Sequence, residues 1–181
     1  DGNSYQTVQI GTQCWMKANL KYLPTVHNNS EFAAKSSNSL PGYGVYGYDG
    51  SDVSTAKAQG NYATYGVLYN WHAAMAGSSS SSANPSGVKG VCPSGWHLPS
   101  DLEWQQLEIH LGMNPSVANT IGWRGTDQGS QLKESGTTHW TAPNTGATNA
   151  SDFTALPGGG REASGSFSNL GGYGYWWSAT E

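Results

Sequence analysis

Apolar and polar positions alternate at the start of the chain. Tyr5, Val8 and Ile10 favour a strand, Gly11-Thr12 is a turn signal, and QCWMKANL (13–20) resumes extended structure, so the pattern predicts a short-looped hairpin. A helical period appears in 63–77, where Leu68, Trp71, His72 and Met75 follow i, i+3, i+4, i+7 and Gly77 supplies a stop. His72 reads there as a packing residue rather than a ligand. The strongest signal lies in CPSGWHLPSDLEWQQLEIHLG (92–112): Ser100 and Glu103 have capping-box spacing, Trp104, Leu107 and Leu111 share one face, Gly112 ends the helix, and Pro93 and Pro99 fix the approach. Short helices are expected at Ser116–Ile121 and Ser130–Lys133, and strand-like pieces at THWT, FTALPGG and GGYGYWWSAT (171–180), where glycine permits close approach. Residues 24–64 have no sustained period and read as a long excursion. Residues 78–87 are serine-rich and read as an exposed, mobile loop. The reading is a single α+β domain over 1–181, with two main helices, a small antiparallel sheet and long irregular loops.

Composition sharpens this picture. Charged residues are 11%, aromatics 12%, and glycine occurs 25 times among 181 residues, with 8 Trp and 10 Tyr. That mixture excludes a helical bundle, and its aromatic content argues against disorder. It predicts a core of a few large rings: Trp15, Trp71, Trp96, Trp104 and at least one of Trp176 and Trp177. The net charge is −4 and the eight Lys and Arg are dispersed, so no basic stripe points to nucleic acid. No apolar run approaches a membrane span. A chain that opens on Asp1 rather than Met reads as an excerpt or a processed product.

Catalytic motifs are missing. There is no nucleophile elbow, zinc-protease helix or phosphate loop, and PGGGRE (157–162) reads as a turn. The five histidines lack ligand spacing. Asp49 and Asp52 in DGSD could meet a calcium ion, with no further oxygen ligands in sequence. Cys14 and Cys92 either pair, which suits an exported protein, or stand as two buried free thiols. The expectation is therefore a non-enzyme without a cofactor. Tyr, Trp, Ser, Gly and Asn together suit a recognition surface. Tyr43, Tyr46, Tyr48, Tyr173 and Tyr175 are its candidate contact residues.

Taken in order, DGNSYQTVQIGTQCWMKANL, YGVLYNWHAAM, CPSGWHLPSDLEW and FTALPGGGRE…GSFSNLGGYGYWWSATE resemble the Fibrobacter succinogenes major paralogous domain family. Residues 24–64 and 78–88 stand as variable insertions. The resemblance implies a C-type-lectin-like fold and an exported, often lipid-anchored bacterial surface protein that serves adhesion or ligand binding. Some members resemble targets of diversity-generating retroelements, with a hypervariable C-terminal binding face. Family members run on past WWSATE to a closing strand with a cysteine that could partner Cys92, so 1–181 is expected to be cut short, with Trp176 and Trp177 in a late core strand. Three functions compete: binding of a glycan or protein ligand at the cell surface, assembly of a surface filament or adhesin through a partner strand at an unfinished sheet edge, and, least favoured, polysaccharide chemistry.

Overall fold

The computed structural model describes residues 2–181. Its first element is the expected hairpin: β1 (Thr7–Ile10) pairs antiparallel with β2 (Gln13–Met16), Ile10 opposite Gln13. Gly11, at φ +60°, lies in the two-residue loop, and a Cβ there would press on the His110 ring at 3.0 Å. The hairpin tip is thereby seated on the end of a later helix.

Three helices occupy the stretch that shows no period in the sequence: α1 (Asn29–Ser37), α2 (Val53–Lys57) and α3 (Gly60–Tyr65), with the short strand β3 (Tyr43–Gly44) between the first two. The starts of α1 and α2 are set by caps rather than by apolar stripes, while α3 has no side-chain cap. Asn28 and Glu31 form a complete capping box on α1, and the Asp52 carboxylate accepts from the Thr55 amide at the start of α2. Only Phe32 is buried on α1.

The helix expected over 63–77 is broken into three pieces. Gly66 ends α3 at φ +73°, where a Cβ would lie 2.7 Å from the Leu20 carbonyl. Leu68–Tyr69 is instead strand β4, antiparallel to β3. Asn70 then caps α4 (Trp71–Met75), accepting from Ala73 N–H and also from Gly42 N–H. One amide side chain thus starts the helix and ties the excursion to it, a long-range bond that overrides local periodicity. Ala76, at φ 48°, ends α4 one residue before Gly77.

Helix α5 (Asp101–His110) matches its prediction, with Ser100 and Glu103 making both capping-box bonds and Leu107 fully buried. The two later short helices are α6 (Pro115–Ala118) and α7 (Gln128–Leu132). The PGGGRE turn opens β5 (Gly160–Arg161), which pairs with β6 (Phe167–Ser168). The described strands form three separate two-stranded antiparallel pairs, not one twisted sheet. Residues 171–180 are not a strand, and of the FTALPGG stretch only Ala155 bridges, to Lys133. The two longest helices are α1 and α5, so one of the two main helices differs from the one expected.

Three small cores hold these pieces. One joins Leu23, Val26, Val45, Ala56 and Val67 under a cover of Tyr43, Tyr48, Tyr62 and Tyr69. A second joins Ile10, Leu107, Phe153 and Ala155, with Trp15 and Trp104 beside it. A third centres on Met75, Val88 and Ala179. Small and aliphatic side chains dominate the fully buried positions; the large rings lie around them. This corrects the expected ring core: Trp15, Trp71, Trp96 and Trp104 are half-buried, and Trp176 and Trp177 are 40% and 45% exposed. Trp140 is the one buried tryptophan, its indole N–H donating to the Ala155 carbonyl at 2.9 Å. The physical reason is polar: an indole needs an acceptor, and Trp71 and Trp177 find theirs on main-chain carbonyls near the surface, Ser178 and Tyr69.

Candidate functional site

The face that carries the C-terminal residues is built on close backbone contacts. At Gly171 a Cβ would meet the Thr141 hydroxyl at 2.7 Å, and at Gly174 it would collide with the Trp176 ring and the Leu156 carbonyl. Only glycine lets the chain lie this near its neighbours. Tyr173 and Tyr175, two residues apart, project with their rings stacked at 6.1 Å and 14°. Asn169 Nδ2 donates to the Tyr175 hydroxyl at 3.0 Å and holds that ring in place. Trp123, from the loop after α6, extends the row with its ring 6.1 Å from Tyr173. These rings are strongly exposed: Trp123 91%, Tyr175 58% and Tyr173 45%. Ile121, beside Trp123, is fully exposed.

The row runs into a groove of about 740 Å³. Trp15, Trp104 and Phe153 line it, with Trp15 and Trp104 4.7 Å apart and Phe153 edge-on to both. Trp176, Trp177 and the rest of β2 line it too. Trp176 meets the Phe153 ring at 6.2 Å, and the Trp177 carbonyl accepts from the Trp104 indole at 3.4 Å. The segment is therefore anchored to Phe153 and Trp104 while its rings stay partly exposed.

The groove also holds a tight polar pair. His97 Nε2 lies 2.6 Å from Glu103 Oε1, and Glu103 Oε2 accepts from the Ser86 and Ser100 amides, each at 2.9 Å. Burial alone would raise the Glu103 pKa, but the Ser100 amide, His97 and the Ser86 amide together pull it below the ordinary range. The carboxylate is thus fully engaged in joining three segments. Lys17, which also lines the groove, pairs with Asp152 at 2.6 Å.

The sequence-predicted contact tyrosines separate into two groups. Tyr173 and Tyr175 are exposed and adjacent, whereas Tyr43, Tyr46 and Tyr48 are half-buried. Tyr43 stacks on His27 and meets Tyr69 edge-on, Tyr46 packs on Phe167, and Tyr48 covers the first core. Trp123, absent from the sequence-based selection, joins the row because a loop brings it across; residue type alone carried no signal for that.

Asp49 and Asp52 already have partners. Asp49 accepts from the Asn29 amide at 2.6 Å, and Asp52, with its pKa lowered to about 2 by hydrogen bonds from Thr55 and Ser54, caps α2. Among the described residues no group of three or more His, Cys, Asp or Glu could hold a metal ion. Cys14 and Cys92 are not paired: Cys14 is exposed and Cys92 partly buried, so the disulfide and the pair of buried thiols both fail. Burial pushes the Cys92 thiol up to about 11, which keeps it protonated and unreactive. No described helix is long and apolar enough to cross a membrane.

The family model for the Fibrobacter succinogenes major domain matches residues 8–181. The chain belongs to that family. The matched span includes the hairpin, α5, the groove and the ring row, while no curated protein and no solved structure matches.

Proposed function

We propose that this domain is a non-catalytic recognition or adhesion module of a secreted or surface-attached bacterial protein, of C-type-lectin-like type, that takes a glycan or protein ligand on Trp123, Tyr173 and Tyr175. The observation that carries the reading is the row itself. Three contiguous rings left largely in water cost solvation free energy that a folded monomer usually avoids by burying them. The positions of Tyr173 and Tyr175 are held by the close approaches at Gly171 and Gly174 and by Asn169, so a ligand meets a partly preorganised face. Flat rings flanked by hydroxyl and amide groups suit a sugar face and its equatorial hydroxyls. The full-length protein on a glycan array, with a pulldown from surface extracts, tests the reading: a reproducible ligand supports it, and a blank in both contradicts it.

A further inference from the structure

Trp123 stands on a loop whose main chain does little to hold it. Among the described residues, no main-chain group of residues 121–125 is hydrogen-bonded to another main-chain group. Gly122 turns the tip at φ +89°, with open space around it. Ile121 and Trp123, on either side of it, are more exposed than any other large apolar side chain among the described residues. A tip with no ladder and two bare apolar side chains belongs to the least stable parts of a fold, where a side-chain tie has most to contribute.

Arg124 supplies the tie. Beside the exposed Trp123, its side chain is only 17% exposed. Nε donates to Glu108 Oε2 at 2.9 Å, Nη1 donates to the Thr120 carbonyl at 2.8 Å, and Nη2 lies 3.7 Å from Asp101 Oδ1. Asp101 and Glu108 lie on one face of α5, about two turns apart. Thr120 is the near end of the loop, closed onto α6 by its bonds to the Val117 carbonyl. One planar group thus joins the loop to the helix that carries the capping box and the buried Leu107. The far end is seated separately: Thr126 N–H donates to Gln128 Oε1 at 3.0 Å, and Gln128 is buried. Among the described residues, Arg124 is the only one of residues 121–125 that makes a hydrogen bond.

We propose that Arg124 is the positioning residue of the recognition face: bonded to Glu108, it holds the loop on α5 and keeps the Trp123 ring beside Tyr173 before a ligand arrives. The inference rests on reading Trp123, Tyr173 and Tyr175 as a ligand face. Tyr173 and Tyr175 have their own supports in Gly171, Gly174 and Asn169, and Arg124 is the support of the third ring. A ring ordered in advance spares a ligand the cost of ordering it. Arg124 acts through Trp123, its donors being engaged with α5 and Thr120.

The test is amide nitrogen NMR relaxation on the full chain, with no ligand added, read at the Gly122 and Trp123 amides. Order parameters of about 0.85 are expected in the parent, with a nuclear Overhauser contact between the Trp123 and Tyr173 rings. In Arg124→Ala the order parameters should fall below about 0.6 and the ring contact should vanish, while α5 and the β1–β2 hairpin keep their values. Glu108→Ala should resemble Arg124→Ala, whereas Glu108→Gln keeps an acceptor for Nε and should stay close to the parent. Arg124→Lys lacks the fork that serves Glu108 and Thr120 together and should fall between. If Arg124→Ala does not fold, the two Glu108 variants and Arg124→Lys carry the same comparison. The proposal is overturned if the parent loop is already flexible, if Arg124→Ala leaves the loop and the ring contact unchanged, if the loosening spreads equally through α5, or if Glu108→Ala and Glu108→Gln behave alike. No ligand enters the measurement, so its failure and a blank glycan array are separate results.

Discussion

The Arg161 guanidinium lies over the Phe32 ring, 4.4 Å from its centroid, and joins two parts of the chain that are more than a hundred residues apart. It also lies over the Phe167 ring, 4.5 Å from its centroid. The same group donates to the His27 carbonyl and the Asn29 side chain, each at 2.8 Å, and to the Gly165 carbonyl at 3.0 Å. Gly44 makes room for it, since a Cβ there would sit 2.6 Å from the guanidinium. The β5–β6 hairpin is thus clamped to the start of α1. Arg161→Ala should destabilise the domain by about 2–4 kcal/mol, because it strands buried acceptors and removes two ring contacts. Arg161→Lys should recover little, since an ammonium lacks the planar fork. Urea denaturation of both variants checks this.

Glu103 gives a pH dependence with a definite sign. Its folded pKa lies below the ordinary value of 4.5, so the unfolded chain binds its proton first as pH falls. The stabilisation is complete above that ordinary value and is lost as pH drops through the lower folded pKa. Glu103→Ala should cost about 2–4 kcal/mol at neutral pH, because the Ser86 and Ser100 amides lose their acceptor in a buried site. The variant should also show a flatter stability profile below pH 5 than the parent. Denaturation midpoints measured across that range decide it.

The two thiols should behave differently. Cys14 is exposed and should react with a maleimide within minutes at pH 7.5. Cys92 should remain unlabelled in the folded state and react only in denaturant. Intact mass of the oxidised protein should show no loss of two hydrogens. A mass lower by that amount, restored by reductant, would contradict the geometry.

Gly174→Ala tests whether the ring face is preorganised. The added methyl collides with Trp176 and with the Leu156 carbonyl, so the segment must shift. A loss of about 1–3 kcal/mol is expected, with altered near-ultraviolet circular dichroism from the displaced tryptophans.

The parts readable in the sequence were those with local causes. The hairpin follows from alternation and a two-residue glycine turn, and α5 from a capping box in front of an apolar face; both stand where they were expected. Helices α1 and α2 carry comparable cap signals in Asn28–Glu31 and Asp52, which the lack of an apolar stripe concealed. The 63–77 helix failed for the opposite reason: its stripe is real, but Val67 N–H donates to the Leu20 carbonyl and the Asn70 side chain bonds to Leu40 and Gly42, all long-range. Residues 171–180 looked like a strand because aromatics alternate with glycine. Gly171 and Gly174 serve close packing, and Trp177 donates sideways to the Tyr69 carbonyl while both tryptophans stay partly exposed. Of the site, Tyr173 and Tyr175 were legible by type and spacing, whereas Trp123 joins them only through the fold.

The central claim is that Trp123, Tyr173 and Tyr175 form the ligand-contacting face. Trp123 has little burial to lose, so Trp123→Ala should shift stability by no more than about 0.5 kcal/mol, whereas Tyr173→Ala removes a ring more than half covered and should cost about 1 kcal/mol. The decisive measurement is calorimetric titration of the ligand found on the array or in the pulldown into the parent protein and the Trp123→Ala/Tyr173→Ala double variant. Affinity at least tenfold weaker, with the far-ultraviolet circular dichroism unchanged and a cooperative melt retained, is the predicted result. Equal affinity in parent and double variant would contradict it.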